Sequence, residues 1–299
     1  MWRAMLLFAG AAATIHGDCI RPAYDRRNKP VLKLTALRGG YSSFERGRSG
    51  PFRPQSTPFM SGDLDNDKMS DAERVFVVEQ FKSQPEIRKQ FVKRVYAILA
   101  AQLTATTGLA ISIRANPALF MMLFKAQWLL VAVSFISMMW LALSAKARKQ
   151  KPLNGLLLAA FTLGQATLVG LVTARFPAQL VIRAAGATAL ATGSLSAYAF
   201  TTKRDLTPMG MMLRSSLITL IGLSLLQYFF GGSLIELGRI YFGVLIFCGY
   251  IVYDTWTMMA GGKDRQVRPT EPILAAISLY TDIINLFLYL LQAMARNQD

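Results

Sequence analysis

The stretch Ile273–Met294 reads ILAAISLYTDIINLFLYLLQAM, and its reading decides the fold. As a helix it is long enough to cross a hydrocarbon layer of about 30 Å. Yet it carries Ser278, Asp282, Asn285, Tyr289 and Gln292 at steps of four, three, four and three. Those steps draw one stripe down one side of a helix. In a water-soluble protein the stripe would face solvent. On a membrane helix it must face a protein interior, because an ionised carboxylate in hydrocarbon costs several kcal/mol. Other helices must therefore surround this one.

Working back along the chain, six more apolar stretches of spanning length occur: Val95–Ile113, Leu119–Ser144, Leu153–Thr173, Ala178–Phe200, Met209–Phe230 and Ile240–Ala260. The connections are short. A bilayer offers no water to open backbone groups, so the expected architecture is an all-α membrane protein, a seven-transmembrane-helix bundle in contact with the lipid bilayer. Of 299 residues, 53% are hydrophobic and the net charge is +16. Topology accounts for most of that charge. The connections after spans two, four and six carry Lys146, Arg148, Lys149, Lys151, Lys203, Arg204, Lys263, Arg265 and Arg268, against Arg114, Arg175 and Arg239 after spans one, three and five. Lys82, Arg88, Lys89, Lys93 and Arg94 precede span one. The positive-inside rule puts the N-terminus in the cytoplasm and the C-terminus across the membrane. Nucleic acid is not an expected partner, since no soluble basic face is present.

Histidine and cysteine narrow the chemistry. The one histidine, His16, and one of the two cysteines, Cys19, lie in the N-terminal tail, and Cys248 lies in span six. No disulfide framework is expected. Ser–His and Cys–His nucleophile pairs, an HExxH zinc site and a His-ligated haem are all excluded inside the membrane.

The N-terminal third divides in two. Residues 1–17 form a signal-like apolar segment, too short to span. Residues 18–87 are polar and expected to be a largely disordered tail. A weak unused signal, a two-part organelle address or a plain tail each fit this pattern. The membrane domain is expected over 88–294, introduced by an amphipathic helix over 76–93, with 295–299 as a C-terminal tail. DLDNDKMSD at 63–71 has calcium-loop spacing but lacks the loop's Gly and its final Glu.

Only two acids lie inside the apolar spans, Asp254 in span six and Asp282 in span seven. Asp205, Glu236, Asp264, Glu271 and Asp299 read as charges of connections or of the C-terminus. Asp254 falls roughly 9 Å and Asp282 roughly 13 Å inside the expected cytoplasmic ends of their spans. Side chains lean toward their own helix N-terminus, so the two carboxylates converge if the helices are neighbours. Tyr250 sits one turn from Asp254, and Gly249 suits a close helix approach. Two adjacent carboxylates in low dielectric cannot both ionise cheaply, and a shared proton is the expected state. The pair is also a hard oxygen site, and Asp254 and Asp282 are candidate Ca²⁺ ligands. The competing reading is a hydrogen-bonded pair that only fixes packing. Thr162, Gln165 and Ser194 read as helix–helix glue.

These residues carry a family resemblance. CGYIVYDTWTMM (248–259) and SLYTDIINLFLYLLQ (278–292) resemble signature segments of the transmembrane Bax inhibitor motif family, which includes Bax inhibitor and Lifeguard proteins. FVKRVYAILAAQLTATTG (91–108) and AYAFTTKRDLTPMG (197–210) are similar to its approach to span one and its fourth connection. The nearest branch is Lifeguard-like. The resemblance implies seven helices with the last near the centre, and a pH-sensitive cation pathway, mainly a Ca²⁺ leak, closed by a di-aspartyl pair at Asp254 and Asp282. Ca²⁺ and protons are then the small partners, with Ca²⁺ as the transported ion and no bound cofactor. It further implies an endomembrane of ER or Golgi type, control of Ca²⁺ stores and suppression of cell death. A mitochondrial or plastid membrane remains the alternative. A basic latch after span two would be Lys146 or Arg148. Ser278, Asn285, Tyr289 and Tyr250 would support the pair. FTLGQA (161–166) departs from the family pattern, with Gln165 where an acid often stands. The alternatives to a leak are a non-conducting scaffold engaging protein partners through its tail, a proton-coupled transporter, and an aspartyl hydrolase. No enzyme activity is expected.

Overall fold

A computed structural model describes residues 85–144, 147, 150, 152–260 and 272–296. The readings made for residues 1–84, for Lys146 and Arg148, and for the connection after span six lie outside these residues. Among the described residues there are seven helices: α1 (Pro85–Ala115), α2 (Pro117–Leu143), α3 (Leu153–Thr173), α4 (Ala178–Thr201), α5 (Thr207–Phe230), α6 (Ser233–Ala260) and α7 (Pro272–Arg296). All seven are long and apolar enough to cross a membrane. The chain is a multi-pass integral membrane protein.

The helix ends follow from local chemistry. Pro85, Pro117 and Pro272 open their helices, where a missing N–H leaves nothing unsatisfied. Before α2, Asn116 Oδ1 accepts from Ala118 N at 3.0 Å and Leu119 N at 3.3 Å. Before α5, Asp205 Oδ1 accepts from Thr207 N at 3.1 Å. At the far end of α3, Arg114 Nη1 donates to Phe176 O at 2.8 Å. Gly231 and Gly232, with φ of 67° and 96°, turn the chain between α5 and α6, a conformation other residues rarely hold.

That turn changes one expectation. The span expected to begin at Ile240 is helical from Ser233. Glu236 and Arg239, read in the sequence as charges of a connection, therefore lie within α6. At the other end of the chain α7 runs past Met294 to Arg296. There Arg296 Nη1 meets Glu236 Oε2 at 2.6 Å, tying the end of α7 to the start of α6.

α7 is the central helix, as the resemblance implied. It packs on α6, α1 and α4 and touches α3, while α2 packs chiefly on α3 and α5 on α6. Every residue from Asp282 to Tyr289 is buried, so α7 is covered all round. Lipid tails are as apolar as leucine, so packing and hydrogen bonds hold such helices together. Tyr280, fully buried, sets its ring edge-on to Phe161 of α3 at 5.9 Å between centroids. Its hydroxyl lies 2.7 Å from Thr106 Oγ1 on α1. Thr106 spends its own proton on Gln102 O at 2.8 Å, so Tyr280 is the donor. Gln102 Nε2 donates to Thr162 Oγ1 at 3.0 Å, joining α1 to α3 and making Thr162 the glue it was expected to be. Ser194, by contrast, bonds among the described residues only back to Ala191 O of its own helix. Outward, Trp128, Leu129, Ile182, Leu190, Met211 and Phe229 are exposed and face lipid.

Candidate functional site: an acidic pair between α6 and α7

Helices α6 and α7 run antiparallel, with Asp254 late in α6 and Asp282 in the first half of α7. The carboxyl of Asp282 faces that of Asp254 across the seam, near enough for the two to interact directly. Two carboxylate oxygens are both acceptors, so a hydrogen bond between them requires a proton. Ser278, one turn before Asp282, donates its hydroxyl to Asp254 Oδ2. Asp254 is thus held against one face of α7, between Ser278 and Asp282. Asp282 is 7% exposed, and its Oδ2 has no hydrogen-bond partner among the described residues.

The Tyr250 hydroxyl lies within the electrostatic field of both aspartates, of Arg214 on α5 and of Tyr253. That hydroxyl also lacks a partner among the described residues. Arg214 lies in the first third of α5. In the structure it is half-buried beside the polar cluster.

The rest of the expected stripe divides. Asn285 Nδ2 donates to Thr281 O of its own helix at 2.8 Å and so is turned along α7. Tyr289 belongs to a second cluster, toward the opposite end of the seam. Its ring stacks on Phe247 of α6 at 5.7 Å and 24°. The Arg239 guanidinium lies 5.7 Å from the ring centroid. Arg239 Nη2 donates to Gln292 Oε1 at 2.9 Å. Gly243 makes room for the ring, since a Cβ there would lie 2.6 Å from Tyr289 Cε1. The close approach of α6 to α7 is made at Gly243. Gly249 serves a different contact, facing Leu213 and Met209 of α5. Gln165 is buried on α3.

Sequence reasoning missed Arg239 and Tyr280. Arg239 looked like a loop charge because Gly231 and Gly232 appeared to begin a longer connection. Tyr280 gave no signal among the aromatics of an apolar run. Among the described residues no group of three or more His, Cys, Asp or Glu gathers to hold a metal. Two carboxylates and a serine hydroxyl fall short of the six to eight oxygens that hold Ca²⁺ tightly.

The comparisons with known proteins agree with this architecture. The profile of the family described as Inhibitor of apoptosis-promoting Bax1 matches residues 88–299. The chain is 36% identical over 206 residues to Protein lifeguard 4 of Mus musculus, covering 69% of this chain and 84% of the mouse protein. It is 33% identical over 208 residues to the Golgi anti-apoptotic protein of Vaccinia virus (strain Lister), covering 70% and 86% of the two chains. It is 32% identical over 232 residues to Bax inhibitor 1 of Schizosaccharomyces pombe, covering 74% and 85%. With all seven helices inside or overlapping the matched region, this chain belongs to the Bax inhibitor and Lifeguard family.

Proposed function

We propose that this chain is a proton-gated leak for Ca²⁺ in an endomembrane, and that through it the protein controls Ca²⁺ stores and suppresses cell death. The meeting of Asp254 with Asp282 inside the α6–α7 seam carries the reading. With one proton between them, the two carboxyls bridge the helices and carry a single negative charge. Loss of that proton leaves two like charges side by side; at a separation of about 4 Å such a pair repels by about 4 kcal/mol at an effective dielectric of 20. That repulsion opposes the packing of α6 on α7, and the same two oxygens now attract a divalent cation. Too few oxygens for tight binding suits passage better than storage. Cell-death suppression is supported by the names of relatives, which include an anti-apoptotic Golgi protein and a Bax inhibitor. The N-terminal side of the membrane domain is taken as cytoplasmic on the count of basic residues.

The same pair is the equipment of an aspartyl hydrolase, in which two carboxyls share a proton. We read it as a gate because one member is held by Ser278 and the other lies almost wholly out of solvent. The experiment is Ca²⁺ flux into vesicles holding the purified full chain, followed across neutral pH. Flux rises with pH in the wild type. Asp254→Asn and Asp282→Asn, each leaving at most one ionisable member, flatten that dependence. A flux whose pH profile survives both substitutions unchanged refutes the gate.

A further inference from the structure

Arg239 is an unusual residue for a proposed cation path. It is 8% exposed, and Gln292, a neutral side chain, is its hydrogen-bond partner. Among the described residues no carboxylate pairs with it. The nearest acid along α6, Glu236, is engaged by Arg296 at 2.6 Å. Gln292 is itself oriented, because its Nε2 donates to Leu288 O at 3.1 Å and so leaves Oε1 for the guanidinium. The Tyr289 ring, clamped against Phe247, fixes the other side. A buried charge paired, among the described residues, only with neutral groups is costly and is kept where it acts. At about 1.5 Å per residue, Arg239 lies roughly 22 Å from Asp254 along α6. It therefore occupies the same α6–α7 seam as the acid pair, at the opposite end.

The geometry points to Arg239 as a fixed positive charge that limits passage of divalent cations at the end of the seam remote from the acid pair. This inference rests on the leak reading above. A rigid guanidinium repels any approaching cation, and the repulsion scales with the cation's charge. A barrier factor for Ca²⁺ is therefore the square of the factor for a monovalent ion. The charge thus selects against Ca²⁺ relative to K⁺ while the acid pair attracts both.

The test is flux of Ca²⁺ and of K⁺ into vesicles holding the full chain, with melting temperature measured on each variant. Arg239→Gln removes the charge. Gln292→Glu leaves Arg239 in place and neutralises it with a carboxylate on the same oxygen position. Both raise Ca²⁺ flux, by about tenfold, and K⁺ flux by only about threefold, while Arg239→Lys stays near wild type. Gln292→Glu also separates a charge barrier from a mere clamp. It strengthens the link between α6 and α7, so a clamp predicts lower flux where a barrier predicts higher. Unchanged or reduced Ca²⁺ flux in Gln292→Glu, or equal gains for both ions, overturns the inference. If wild-type flux responds to Asp282→Asn yet neither charge variant alters it, the inference fails and the leak stands. No flux in any variant overturns both.

Discussion

Adding one methyl group at Gly243 tests whether the α6–α7 seam is built as described. A Cβ on Gly243 would lie 2.6 Å from Tyr289 Cε1 and 2.7 Å from Cδ1 and Cζ. Real contacts of this kind do not occur, so either the ring or the helix must move. The ring is poorly placed to yield, being stacked on Phe247 on one side and lying beneath the Arg239 guanidinium. Overpacking of this type costs about 1–3 kcal/mol. Three ring atoms crowd the same point, which puts the cost near 3 kcal/mol. Replacing glycine by alanine inside a helix returns about 1 kcal/mol. The net loss is about 2 kcal/mol, or a fall of about 4–8 °C in melting temperature for a chain of this size class. Thermal melting of detergent-solubilised Gly243→Ala reads this directly. Tyr289→Leu in the same background removes the ring's far edge and recovers much of the loss, a coupling that distant residues would not show. A Gly243→Ala protein as stable as wild type, or one that Tyr289→Leu does not rescue, refutes the close contact.

Tyr280→Phe deletes the one hydroxyl that α7 offers to Thr106 of α1, and thermal melting should fall by the equivalent of about 1 kcal/mol, with no change in the pH profile of flux. Asn285→Ala removes a side chain that, among the described residues, bonds only along its own helix, so the pH dependence of flux survives it although it sits one turn from Asp282. Flattening of the profile in Asn285→Ala would show that Asn285 serves the acid pair after all.

The bundle itself could be read from the chain because each span is a long apolar run, and a membrane tolerates only one way of satisfying such backbones. Asp254 and Asp282 stood out for the same reason, as charges where charge is expensive. Their meeting followed from helix geometry once α6 and α7 were taken as neighbours. Ser278 was legible as one step of a polar stripe. The stripe, however, assigned Asn285 and Tyr289 to the same cluster, and they separate because hydrogen bonding is decided by what each neighbour offers. Asn285 finds a carbonyl on its own helix, and Tyr289 finds an aromatic face and a guanidinium on α6. Arg239 was hidden by its setting. Gly231, Gly232 and Ser233, all poorer helix formers, made it look like part of a connection, and only the positive φ of the two glycines shows how short that loop is. Gly249 was expected to allow a close helix approach and does so against α5, a partner the sequence left unnamed because a glycine announces closeness and not its neighbour.

The helix that fills the middle of this molecule follows the other six in the chain. During synthesis those six reach the bilayer while the segment destined to lie among them is still in or behind the ribosome. Until it arrives, the faces of α1, α4 and α6 that it will cover must meet one another, lipid or an insertion factor. The incoming helix then has to carry Ser278 and Asp282 past apolar chains before Asp254 can receive them. Biogenesis of this protein is therefore most exposed to failure at its final membrane insertion. A chain cut before Pro272 should be recovered by the cell's quality control and not as a stable six-helix remnant.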